Sequence, residues 1–125
     1  MNPTKFFTPK EATQTLPLVR KIVTDILKLG EEMRALYNKL GSNAEEHPEV
    51  LRLADLLEDL FRELEGLGCF YKDWNFSMGL VDFPAVIDGK EVFLCWRSDE
   101  PALRYYHGVE EGFTGRQLIP EELLN

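Results

Sequence analysis

The stretch LVDFPAVIDGKEVFLCWR, residues 80–97, decides how this chain folds. At its centre Asp88-Gly89 is the strongest short-range signal for a β-hairpin, because both residues tolerate the positive φ that a two-residue turn demands. With that turn Ile87 faces Lys90, and the register follows: Ala85 meets Val92, Phe83 meets Leu94 and Val81 meets Trp96. These six residues are apolar, so they mark the face that packs on the rest of the core. The opposite face pairs Pro84 with Phe93, Asp82 with Cys95 and Leu80 with Arg97. An acid, a thiol and a guanidinium therefore share one patch, either as a site or as a surface ion pair beside a half-buried thiol.

The neighbouring segments CFYKDW (69–74) and ALRYYH (102–107) also read with a period of two, which makes an antiparallel meander of three to four strands. The parity of the last strand depends on the loop before it. A four-residue loop, SDEP, pairs Trp96 with Leu103, sends Tyr105 and His107 to the core face and sets Arg104 opposite Cys95. A loop one residue longer sends Tyr105 and His107 to the patch with Cys95 and Asp82. Hydropathy favours the first, since Leu103 and Tyr105 look buried and Arg104 exposed.

Everything before residue 68 reads as a helical hairpin. Thr8 is the N-cap, Pro9 the first helical residue and Glu11 the acid of a capping box, with Phe7 placed to staple the entry. Ala12, Leu16, Val19, Val23, Ile26, Met33, Tyr37 and Leu40, with Gly30 in the remaining slot, form a heptad seam, and Leu18, Ile22, Leu29 and Leu36 widen it. Pro17 is expected to kink this helix, which is roughly 48 Å long. Gly41 stops it, GSNAEEHP turns, and a second helix runs from about Pro48 to Gly66. A hairpin of that length would leave apolar surface wet as a lone pair, so a homo-oligomer is expected, most simply a dimer joined as a coiled coil. The whole is an α+β chain forming a single domain over 1–125, with the hairpin at 8–67 and the sheet and C-terminal loop at 69–119.

Composition closes off several functions. The net charge is −8 and no Lys/Arg cluster is present, which argues against nucleic acid as partner. No apolar run approaches the ~20 residues of a membrane span, and the start MNPTKFFTPKEA has no signal-peptide pattern. Two unpaired cysteines, Cys69 and Cys95, suit a reducing cytoplasm. The Glu-x-x-His pairs of di-iron bundles are missing, since Ala44 and Arg104 stand three residues before the two histidines. Near the C-terminus Gly112 and Gly115 bracket Phe113 ahead of Arg116, a loop in which Arg116 either binds an anion or pairs with Glu110 or Asp99; Pro120 then opens a short helical turn.

The segments FTPKEATQTLPLVR, GLVDFPA with DGKEVFLCWR, and EPALRYYHGVEEGFTGR resemble the bacterial and archaeal domain of unknown function 2203 family over nearly the whole chain. The matching positions are Glu11, Pro17, Asp82, Phe83, Pro84, Cys95, Trp96, Glu100, His107, Gly112, Phe113, Gly115 and Arg116. The resemblance implies a hairpin followed by a small sheet and brings no catalytic assignment. This chain departs from it at WNFSM, a bulkier segment expected to add an apolar loop beside the patch.

The leading functional expectation is a non-catalytic, homodimeric interaction module that binds a protein or small ligand and needs no cofactor. The alternative is a zinc or iron site, possibly hydrolytic, using Cys95, His107, Asp82 and Glu100, with Arg116 holding an anionic substrate. A third, thiol catalysis at Cys95 assisted by His107, needs a cation beside the sulfur, for which Arg97 and Arg104 are candidates. The last two require Cys95 and His107 to meet on one side of the sheet.

Overall fold

A computed structural model describes residues 3–73 and 76–125. Helix α1 spans Pro9–Leu40 and opens with the expected capping box, in which Thr8 accepts the Glu11 amide at 3.1 Å and Glu11 accepts the Thr8 amide at 2.9 Å. Pro17 lies within α1 and withholds one amide from its ladder, the place where the sequence calls for a kink. A 3-10 turn, Gly41–Glu46, leads to helix α2, Pro48–Leu67. His47 caps α2, its Nδ1 accepting the Glu49 amide at 3.1 Å, a role hidden in the sequence because histidine is a rare cap. Gly68 ends α2 at φ +97°, with its amide turned back to the carbonyls of Leu64 and Glu65.

Five short strands follow in spatial order: β1 (Phe70–Tyr71), β2 (Leu80–Ile87), β3 (Lys90–Arg97), β4 (Tyr105–Gly108) and β5 (Gln117–Leu118), each antiparallel to the next. The expected three to four strands become five because the tail supplies β5, a two-residue strand too short to carry a periodicity. The β2–β3 register is the expected one from Leu80↔Arg97 to Ile87↔Lys90. Asp88 (φ +53°) and Gly89 (φ +78°) take the left-handed conformation of the turn. A terminal helical turn, α3 (Glu121–Leu124), closes the chain.

The inward face of β2 and β3 (Val81, Phe83, Ala85, Val92, Leu94, Trp96) meets Ala12, Leu16, Val19, Val23 and Ile26 of α1 in one core, with Leu57 and Leu64 of α2 completing it. Two glycines permit that contact: a Cβ at Gly79 would stand 2.3 Å from Val23, and one at Gly30 2.5 Å from the Phe76 ring. Phe7 is buried edge-on against Phe83, 5.3 Å between ring centres, and its amide donates to the Pro84 carbonyl at 2.7 Å. Phe7 thus packs on the sheet edge instead of stapling only its own helix.

The favoured parity of β4 is overturned. Cys95 pairs with Tyr105 and Phe93 with His107, so Tyr105 and His107 lie on the outer face with Cys95 and Asp82, while Tyr106 takes the inner one. Leu103 is buried as expected, but from the connection ahead of the strand. That connection has its own structure: the Glu100 amide donates to the Arg97 carbonyl, the Glu100 carboxylate accepts the Arg97 amide at 2.7 Å, and the Trp96 indole donates to the Glu100 carbonyl at 3.0 Å. Counting strand parity backward through Leu103 therefore fails, and Tyr105, not Arg104, faces Cys95.

The alternation of burial along β2 has a direct consequence for stability. Phe83→Ala removes a fully buried ring and is expected to cost about 3–5 kcal/mol, whereas Val86→Ala, at a residue 50% exposed, should stay within about 0.5 kcal/mol of wild type. Urea unfolding of the two variants checks both values.

Candidate functional site

The corrected register brings three different ligand-type side chains together on the outer face of neighbouring strands: Asp82 from β2, Cys95 from β3 and His107 from β4. One donor atom from each lies within 4.8 Å of the other two, and all three residues are buried. They are the floor of a pocket of about 290 Å³ whose other lining includes Lys72, Leu80, Phe93, Val109, Glu111 and Phe113.

The histidine's hydrogen bonds fix its protonation pattern. Nδ1 is 2.8 Å from the Gly108 carbonyl, which only accepts, so Nδ1 carries a proton. Nε2 is 3.1 Å from Asp82 Oδ1. In the absence of a metal the ring holds its second proton against that carboxylate, and its pKa rises from 6.5 to about 10. The hydrogen bond to Asp82 is the main cause, the Cys95 sulfur is next, burial opposes both, and the Gly108 carbonyl adds to them. An imidazolium beside a carboxylate is how two buried charges are tolerated on this face. The other thiol differs: Cys69 is buried without such partners, and burial pushes it up to about 12, which leaves it inert as a nucleophile.

The remaining sequence candidates form a second, separate group. Arg97 is held by Asp99, with Nε–Oδ1 2.6 Å. Arg116 pairs with Glu100, not with Glu110 or Asp99, and its guanidinium lies between the rings of Tyr105 (3.9 Å) and Phe113 (4.5 Å). Glu100 spends both carboxylate oxygens on Arg97 and Arg116, so it is not a fourth ligand, and neither Glu100 nor Arg116 lines the pocket. Together they tie the loop carrying Phe113 to the β3–β4 connection. Of the apolar loop expected from WNFSM, residues 74 and 75 lie outside the described part; Phe76 stacks on Phe61 and Tyr71 on the helix side of the sheet.

Three pocket residues escaped the sequence reading, Lys72, Val109 and Glu111. Lys72 was accessible by parity, since it follows Phe70 by two, and Phe70 pairs with Asp82. Glu111 comes in through the turn it closes back to the Gly108 amide, a contact of one carboxylate oxygen that leaves no signal in the sequence.

A family model described as an uncharacterized conserved protein, DUF2203, matches residues 5–119. The chain belongs to that family. All three floor residues of the pocket fall inside the matched segment. No curated protein and no solved structure matches the chain. Among the described residues no helix is long and apolar enough to cross a membrane.

The His107–Asp82 pair implies a pH dependence of stability, to be measured with a chelator in the buffer. A histidine whose pKa is raised on folding stabilises fully below its unfolded value of 6.5, and that contribution is lost as pH rises toward about 10. Lys72, Glu111 and Cys95 face the pair from the adjoining elements and are common to the comparison. Urea midpoints measured between pH 6 and pH 10 should fall for wild type across that window, and His107→Gln should lack this component of the fall.

Proposed function

We propose that this protein binds a single transition-metal ion, zinc or ferrous iron, through Asp82, Cys95 and His107. The observation carrying the reading is the convergence of three unlike donors from three strands within 4.8 Å at the floor of a pocket. Tetrahedral zinc with ordinary bond lengths holds oxygen and nitrogen ligands about 3.3 Å apart, and sulfur about 3.6 Å from either. The Asp82–His107 separation of 3.1 Å is close to that spacing, and drawing in the full set requires a movement of roughly an ångström at most. Nδ1–H donated to a backbone carbonyl is the usual outer contact of a metal-binding histidine, leaving Nε2 for the ion. Thiolate with imidazole selects a borderline metal over magnesium or calcium.

Three protein donors with one side open to a cavity suit a centre that keeps a position for water or a small ligand. A metal-activated water there would support hydrolysis of a ligand seated against Leu80, Phe93, Val109 and Phe113. Protein purified without an affinity tag should contain near-stoichiometric zinc or iron by elemental analysis, and a Cys95→Ala, His107→Ala double variant should contain none. A folded wild-type protein that neither retains nor takes up Zn²⁺ would overturn the reading.

We further infer that the hairpin joins two copies of the chain. Ile26 is the last fully buried α1 side chain of the main core; beyond it Ala44, Val50 and Leu53 are buried outside that core, and Tyr37, Leu51 and Leu56 are 40%, 53% and 38% exposed. Sedimentation equilibrium should give twice the chain mass for wild type and the chain mass for Leu56→Glu; a monomeric wild type at tens of micromolar would refute this.

A further inference from the structure

The pocket residue Glu111 makes no contact with Asp82 or Cys95 in the described hydrogen-bond network, yet it is bound into the turn that holds His107. The turn Gly108–Glu111 closes twice. The Glu111 amide donates to the Gly108 carbonyl at 3.0 Å, and the Gly108 amide donates to Glu111 Oε1, also at 3.0 Å. The same Gly108 carbonyl uses its second lone pair on His107 Nδ1 at 2.8 Å. One peptide oxygen therefore takes the histidine on one side and the Glu111 turn on the other.

The space around this carboxylate is reserved for it. A Cβ at Gly108 would stand 2.7 Å from Oε1, and one at Gly115 would stand 2.7 Å from Oε2 and 2.9 Å from the Glu111 Cβ. Neither glycine has a positive φ; at Gly115 the Glu111 Cβ itself takes the room, while at Gly108 the atom met is the movable carboxylate end, which an added methyl group would push off the Gly108 amide.

We propose that Glu111 is a positioning residue for the metal centre: by closing the turn it aims the Gly108 carbonyl at His107, keeps the proton on Nδ1 and so presents the Nε2 lone pair to the ion. The inference rests on the metal reading above and adds the residue that sets the affinity of that centre. Outer contacts of this kind change metal affinity by about 10–100-fold. Glu111 acts through one intervening peptide and is exposed, so about tenfold is the expected effect.

The test uses the full chain and Co²⁺ alone, followed by the visible and thiolate charge-transfer absorption of the bound ion. Glu111→Ala should weaken Co²⁺ binding about tenfold. Glu111→Gln, whose amide oxygen still accepts from the Gly108 amide, should restore most of the affinity. Gly108→Ala should weaken binding like Glu111→Ala, and the double variant should be no weaker than either single one, because both changes break the same contact. Nitrogen-15 NMR of metal-free protein gives an independent readout: the His107 Nδ1 proton should be hydrogen-bonded and slow to exchange in wild type and Glu111→Gln, and fast in Glu111→Ala. Unchanged Co²⁺ affinity in Glu111→Ala, alongside lost binding in His107→Ala, would overturn the positioning role and leave the metal site standing. A Glu111→Gln protein as weak as Glu111→Ala would also overturn it, since charge rather than hydrogen-bond acceptance would then be at work. Wild type that takes up no Co²⁺ would overturn the metal site itself, and the proton-exchange comparison would still decide whether Glu111 holds His107.

Discussion

The two-residue turn at Asp88-Gly89 is the constraint from which the rest of the molecule follows. A strand has a period of two, so shifting this turn by one residue would exchange the faces of either strand. With Asp88 and Gly89 both left-handed, Phe83, Leu94 and Trp96 point at α1, and Asp82 and Cys95 point away from it. The core and the pocket are the two sides of a single register. The inner side is stabilised by burial of large rings, which leaves the outer side free to carry an acid and a thiol that no hydrophobic core would accept unpaired.

What surrounds the pocket is held in a different way. The loop bearing Val109, Glu111 and Phe113 makes little strand pairing; it is fastened by the Gly108–Glu111 turn at one end and by Arg116 at the other. Arg116 is planar and fits between Tyr105 and Phe113 while its fork reaches Glu100, a combination lysine cannot supply. Glu100 in turn shapes the β3–β4 connection through the Arg97 amide. The charged residues of this side of the sheet thus fall into two groups: Asp82, His107, Lys72 and Glu111 line the pocket, and Glu100, Arg97, Asp99 and Arg116, outside it, fasten the loop that carries Phe113.

The sequence exposed the hairpin, the capping box and the β2–β3 register because each rests on local chemistry: a turn pair, a cap pair and an alternation. It misdirected at β4 because tyrosine occupies two successive positions, 105 and 106, and either parity then looks equally apolar. Leu103 broke the tie wrongly, since its burial belongs to a connection shaped by Trp96 and Glu100 through hydrogen bonds with no sequence period. Gly30 shows the same limit, because a glycine in a heptad seam has no explanation until Phe76 arrives from the other half of the chain. His47 as a helix cap and Glu111 as a turn closer were invisible for a related reason: each acts through one nitrogen or one carboxylate oxygen rather than through residue class.

The contact of Phe7 with the edge of β2 bears on how the chain assembles. It joins segments about 78 residues apart, and the α1 core face likewise waits for strands made some sixty residues later. On a ribosome the first helix must therefore emerge with its apolar stripe uncovered, and α2 can shield only part of it. Such long-range closure slows folding and lengthens the time in which hydrophobic surface is exposed to other chains. The chain's net charge of −8 keeps such incompletely folded chains apart and in solution through that interval.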